Sequence, residues 1–148
     1  MHRKVQLVIS GGIRSGADVA KALAMGADAV SIGTAALIAL NCNRPLHVED
    51  YRALGTEPGA CHHCHTGRCP VGITTQDPML EGRLDVAEGA RRVRNYLTTL
   101  TLEAQTLARA CGKSHVLNLE PEDLAALTVE AAAMAGVPLA GTDWIPGR

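Results

Sequence analysis

Val5-Gln6-Leu7-Val8-Ile9-Ser10-Gly11-Gly12 and, further on, Ala29-Val30-Ser31-Ile32-Gly33-Thr34 carry the reading of the fold. Each is a short apolar run, rich in β-branched residues, that stops at a glycine, as a parallel strand buried on both faces does. Between them Ser15 is placed to cap a helix over about 16–25, with Val19, Ala20, Leu23 and Ala24 on one face and Gly26 at its end. A second apolar helical stretch follows at 35–40. The order is strand, glycine turn, helix, strand, glycine turn, helix: an α/β chain built as a βαβα unit with a right-handed crossover. Two parallel strands leave unpaired backbone along their edges, so the sheet needs further strands from a longer polypeptide or a companion chain.

The chain has 148 residues, too few for a complete eight-stranded α/β barrel of roughly 250. Hydrophobic residues make up 47% and charged residues 20%, enough to build a core. Aromatics are 2% and the net charge is −1, which gives neither stacking surfaces nor a positive field, so nucleic acid is not expected as a partner. The Met1–Lys4 lead into a short strand has no signal-peptide character, and no apolar run is long enough to cross a bilayer. A cytoplasmic protein without a membrane partner is the expectation.

Three organisational blocks follow from the pattern: 1–41 is the βαβα part, 42–80 a cysteine-rich loop, and 81–148 a helical extension. The middle block is broken by Pro45, Gly55, Pro58, Gly59, Gly67, Pro70, Gly72 and Pro78. One helical turn is expected near 48–54, with the rest held by something other than a core. Beyond it Val86, Ala90, Val93, Leu97, Leu100, Ala104, Leu107 and Cys111 fall at steps of four and three, predicting a long helix that Gly112 ends. A last helix is expected from Pro121 to Gly136, and 137–148 as a tail.

Two features can carry chemistry. The Gly11-Gly12 and Gly33-Thr34 turns offer bare backbone N–H groups at successive strand ends, with a helix N-terminus behind them, an arrangement that suits a phosphate dianion. Arg14 would add a charged donor, and Ser10 and Thr34 neutral ones. The spacing is not that of a dinucleotide fingerprint. The second feature is Cys61-His62-His63-Cys64-His65-Thr66-Gly67-Arg68-Cys69-Pro70. Three thiols this close, in a reducing compartment, point to a metal centre rather than to disulfides. Spacing alone leaves zinc, with a histidine as fourth ligand, and an iron–sulfur cluster both open; Cys42 is a further candidate ligand. Cys111 reads as a small core residue, His2, His47 and His115 as ordinary histidines, and Arg91, Arg92 and Arg94 as a solvated face.

Val8–Gly16, Ser31–Cys42 and Cys64–Asp77 together resemble the end of the FMN-binding domain of glutamate synthases, and 81–142 is similar to the helical tail of the shorter glutamate-synthase-like subunits, including those of N-methylglutamate synthase. The resemblance implies the last two βα units of a TIM (β/α)8 barrel in an oxidoreductase that reduces 2-iminoglutarate, formed from 2-oxoglutarate and ammonia or an amine. It implies FMN, with its phosphate held by Ser10, Gly11, Gly12, Arg14, Gly33 and Thr34, and a 3Fe–4S or 4Fe–4S cluster on Cys42, Cys64 and Cys69. Twenty-one residues separate Cys42 from Cys64, a longer gap than the family's pattern has, and the added segment brings Cys61 as a rival or fourth ligand. The earlier strands, which would surround the flavin ring and substrate, are absent from these residues. The chain alone is therefore expected to be inactive, and no catalytic residue is assigned. The alternative is a non-enzymatic zinc module that docks on a partner.

Overall fold

A computed structural model describes residues 5–147. Met1–Lys4, and with them His2, lie outside the described residues. The elements in order are β1 (Val8–Ser10), α1 (Gly16–Ala24), β2 (Ala29–Ser31), α2 (Thr34–Ala39), α3 (Val48–Ala53), α4 (Pro78–Glu81), α5 (Val86–Ala110), two 3₁₀ turns (Val116–Asn118, Pro121–Asp123) and α6 (Val129–Ala135). The chain divides into two compact units, one comprising the described residues of Met1–Ile32 and Thr98–Arg148, the other Gly33–Leu97.

In the first unit β1 and β2 run parallel, with Val8 opposite Ala29 and Ser10 opposite Ser31, so the chain leaves both strands at the same end. Strand β1 is three residues long rather than the six expected. Leu7 spends its backbone on the turn out of α1: its N–H donates to the Asp28 carboxylate at 2.7 Å and its carbonyl accepts from the Asp28 and Ala29 N–H groups. Helix α1 starts where Ser15 and Asp18 cap each other reciprocally. One side of α1, Val19, Ala22 and Leu23, with Ala27 just beyond the helix, packs on Ala104 of α5 with Ile9, Ile13, Val30 and Leu100 around it. Ala20 and Ala24 pack on Ala108 and Leu119. Alanines on both surfaces let the helices approach closely, and Gly16 completes the fit: a methyl there would meet the Leu100 carbonyl and stand 2.5 Å from the Ala104 nitrogen.

The buried line on α5 follows the one expected at Ala104, with Leu100 packed beside it, and departs from it further along. Ala104 and Ala108 are buried, whereas Leu107 and Cys111 are exposed. Close backbone approach selects the small side chains, so Cys111 is not a core residue. The last helix is also shorter than predicted. Glu120 and Asp123 close a one-turn 3₁₀ segment, Leu124 turns extended, and α6 begins only after the Thr128 cap. Residues 137–148 are no tail at their start: Val137 is buried with Ala126 and Ala132, and Ala126 exchanges backbone hydrogen bonds with Pro138 and Ala140. Among the described residues no helix is long and apolar enough to cross a membrane.

The second unit holds α2, α3, α4 and the start of α5. Gly89 lies buried under Leu40, and the Arg92 guanidinium donates to the Ala39 carbonyl at 3.0 Å, which caps the end of α2. Arg92 therefore does not belong to a purely solvated face, while Arg91 pairs with Glu88 on its own helix. The expected turn near 48–54 is α3. The irregular segment does have a core, a small one: Tyr51, Cys69 and Val71, with Cys61 and Ile73 against them.

Candidate thiolate centre and glycine loops

The cysteine segment is organised around one aromatic side chain. Tyr51 is 1% exposed, and its hydroxyl donates to the Cys42 carbonyl at 2.8 Å. Burial first, then the charges of Cys42, Cys61 and Cys69, push its hydroxyl up to about 12, so it remains a donor at any ordinary pH. Cys69 is buried beside Pro70. Burial would push its thiol up, but the backbone N–H groups of Thr74, Val71 and Ile73 and the Thr74 hydroxyl favour the thiolate and bring it below its ordinary value. Gly72, at φ +80°, is what lets the chain fold back over the sulfur. The Thr74 Oγ1 is otherwise a buried oxygen with no hydrogen bond of regular geometry.

Cys42 is half-buried and shifts the other way. Burial raises its thiol, and the charges of Cys64, Cys69 and Cys61 raise it further. Cys61, Cys64 and Cys69 thus all lie within electrostatic reach of Cys42, and a bound cationic centre would relieve that repulsion. They do not form a closed ligand shell: among the described residues no three His, Cys, Asp or Glu side chains converge tightly enough to hold a metal ion. His62, His63 and His65 stack along the loop, with ring centroids 4.5 Å and 6.5 Å apart. A soft sulfur donor set, with N–H groups that favour the thiolate of Cys69, is of the chemistry that an iron–sulfur cluster would take.

Ser10, Gly11 and Gly12 are exposed, and Gly11 and Gly12 sit at φ +103° and +71° with open space where side chains would stand. Only glycine takes such angles without strain, and it leaves the N–H groups bare. The helix start expected behind them is less generous. The N–H groups of Arg14 and Ser15 both donate to Asp18 Oδ2, at 3.0 and 3.2 Å, and that of Gly16 donates to Glu103 Oε2 at 2.7 Å. Two carboxylates therefore occupy the positive end of α1. Asp18 is held down at about 2, by Lys21 first and then by the Arg14 N–H. Gly33 caps α2 at φ −122° with no side-chain cap bond, and it and Thr34 are exposed.

The family model for a conserved region in glutamate synthase matches residues 1–114. The chain belongs to the glutamate synthase family. It is 68% identical over 148 residues to a glutamate synthase large subunit-like protein of Rhizobium meliloti, covering all of this chain and 34% of that relative. An archaeal-type glutamate synthase (NADPH) of Dehalococcoides mccartyi is 38% identical over 145 residues, covering 95% of this chain and 26% of the relative. A glutamate synthase large subunit-like protein of Bacillus subtilis is 30% identical over 122 residues, covering 82% and 20%. The chain thus spans about a third or less of the length of these relatives. No solved structure matches it.

Three side chains in this glutamate synthase-family chain escape a reading that looks only for ligands: Tyr51, Thr74 and Arg83. Arg83 donates from one nitrogen to Asp50 Oδ2 at 2.7 Å and to the Pro70 carbonyl at 2.8 Å. The one available signal is that Tyr51 is the sole aromatic between Met1 and Tyr96.

Proposed function

We propose that this chain is the C-terminal part of the FMN domain of a glutamate synthase-type oxidoreductase, contributing the last two βα units of a TIM barrel, the cluster loop and a helical extension, with blocks near 1–41, 42–80 and 81–148. Family membership supports the general reading. The observation that carries the cluster is the Cys69 sulfur, buried and favoured as thiolate by the Thr74, Val71 and Ile73 N–H groups, together with the electrostatic influence of Cys61, Cys64 and Cys69 on Cys42. The ligands are drawn from these four. Ser10, Gly11, Gly12, Arg14, Gly33 and Thr34 are the proposed donors to the FMN phosphate. On the first of these loops the Arg14 and Ser15 N–H groups are committed to Asp18, so the backbone donors for the phosphate are the glycine N–H groups.

When bound, FMN supplies a two-electron reductant for 2-iminoglutarate, made from 2-oxoglutarate and ammonia or an amine, and the cluster supplies the electrons that restore it. The protein's part is to hold the phosphate on backbone donors and to favour the Cys69 thiolate with the N–H groups around it. The remaining walls of the barrel come from the rest of the polypeptide or from companion subunits.

Anaerobic reconstitution with ferrous iron and sulfide tests the reading. Brown protein with broad visible absorption is expected, and Cys69→Ser is expected to lose it. Colourless protein that retains zinc, or unchanged iron content in Cys69→Ser, overturns the cluster.

A further inference from the structure

Helix α3 lies inside the segment that separates Cys42 from the other three cysteines, and two adjacent residues on it reach both ends of the thiolate centre. Tyr51 holds the carbonyl of Cys42 at 2.8 Å. Asp50 pairs with Arg83 at 2.7 Å, and the same Arg83 nitrogen holds the carbonyl of Pro70, the residue after Cys69, at 2.8 Å. Pro70 is fully buried, and the Arg83 side chain is only 26% exposed. A backbone carbonyl held by a buried donor fixes its peptide plane: at Cys42 that plane contains the cysteine's own Cα, and at Pro70 it lies one residue beyond Cys69, tied to it through the fixed φ of proline. The loop 61–77 contains no helix or strand that could do this.

We propose that Tyr51 and the Asp50–Arg83 pair are positioning residues of the thiolate centre, one clasping the backbone at Cys42 and the other at Pro70, the residue after Cys69. The proposal rests on the cluster reading above. It needs only that the clasp orient sulfur ligands, in the way partners behind metal ligands ordinarily do. Arg52 and Glu49, on the same helix, pair with each other in solvent and are the internal control.

The test uses the protein isolated anaerobically from its own cells, with any companion subunits that copurify. Tyr51→Phe keeps the ring and removes only the donor; Arg83→Gln removes the charge and Arg83→Lys restores it. Cluster loss to an iron chelator is expected to quicken about tenfold in Tyr51→Phe and Arg83→Gln, less in Arg83→Lys, and not at all in Arg52→Gln. The cluster's electron paramagnetic resonance line and reduction potential are expected to shift with the first two, which loss of bulk stability alone would not produce. Variants that load and hold the cluster like the parent, with the same potential, overturn the proposal while the cluster reading stands. So do variants that are unfolded before any metal is removed, since the role is then structural. Parent protein that takes up no cluster overturns the reading, and the proposal with it.

Discussion

Helix α1 and the cysteine segment are held in opposite ways. Around α1, two faces of alanine, valine and leucine press on Ala104 and Ala108, so position is set by close contact of many small apolar groups. In the segment from Cys42 to Asp77 one tyrosine, one arginine and a turn of N–H groups around Cys69 set position through a few directional bonds. Packing of the first kind is intolerant of volume and indifferent to charge. The second kind tolerates added volume at exposed turns and depends on single donors.

Glycine substitutions probe that contrast most strongly. Gly16→Ala sets a methyl 2.5 Å from the Ala104 nitrogen, with backbone on both sides that cannot yield. A loss of about 3 kcal/mol is expected from overpacking. Gly67 has φ +72° and open space around it, so Gly67→Ala meets only the left-handed backbone penalty, about 1 kcal/mol. Urea midpoints of the two variants measure the difference. Equal losses would mean that contact at α1 is no tighter than at the cysteine loop.

The same contrast explains what could be read in advance. The βαβα order, the Ser15 cap, the turn at α3 and the Gly112 stop of the long helix were legible, because each rests on local periodicity or on a glycine or cap at a fixed offset. The buried line of α5 was legible only in part: Ala104 was on the expected stripe, Ala108 was not. Which face of a long helix is covered depends on how closely its neighbour comes, and Gly16 sets that from 87 residues away. The last helix failed for a related reason: Pro121 and the acidic residues after it suit a 3₁₀ turn as well as an α-helix, and only the pairing of Ala126 with Pro138 and Ala140 decides for the shorter form. At the site, the cysteines and glycines announced themselves by type and spacing. Tyr51 and Arg83 did not, since a hydroxyl or guanidinium that serves a distant carbonyl has no spacing rule. Nor could spacing show that Asp18 and Glu103 take the N–H groups at the start of α1.

A smaller effect follows from Asp18. Its carboxyl titrates at about 2 in the folded chain against an ordinary 3.8, so the stability it contributes, through Lys21 first and the N–H groups at the helix start second, is present above about pH 4 and is lost as pH falls through about 2. The sign follows from the depressed value: below it both states carry the proton and the difference vanishes. Melting temperatures of the parent and Asp18→Asn are expected to differ above pH 4 and to converge by pH 2. Curves that stay parallel across that range would show that the cap does not depend on the charge.

The smallest effect separates the two schemes at the level of one residue type. Four cysteines, Cys42, Cys61, Cys64 and Cys69, belong to the directional region, and the fifth, Cys111, lies just beyond α5 in the packed one. Periodicity would bury Cys111 and make it sensitive to the loss of its apolar sulfur. It is exposed, so Cys111→Ser is expected to change stability by less than about 0.5 kcal/mol and to leave bound iron unaltered. Cys69→Ser, the same exchange at a buried sulfur that accepts three backbone N–H groups, should remove the iron. Running both variants side by side under anaerobic conditions assigns the loss to what surrounds the sulfur rather than to the change of atom. A Cys111→Ser variant that melts several degrees lower would place that residue back on the packed face and require α5 to be rotated about its axis.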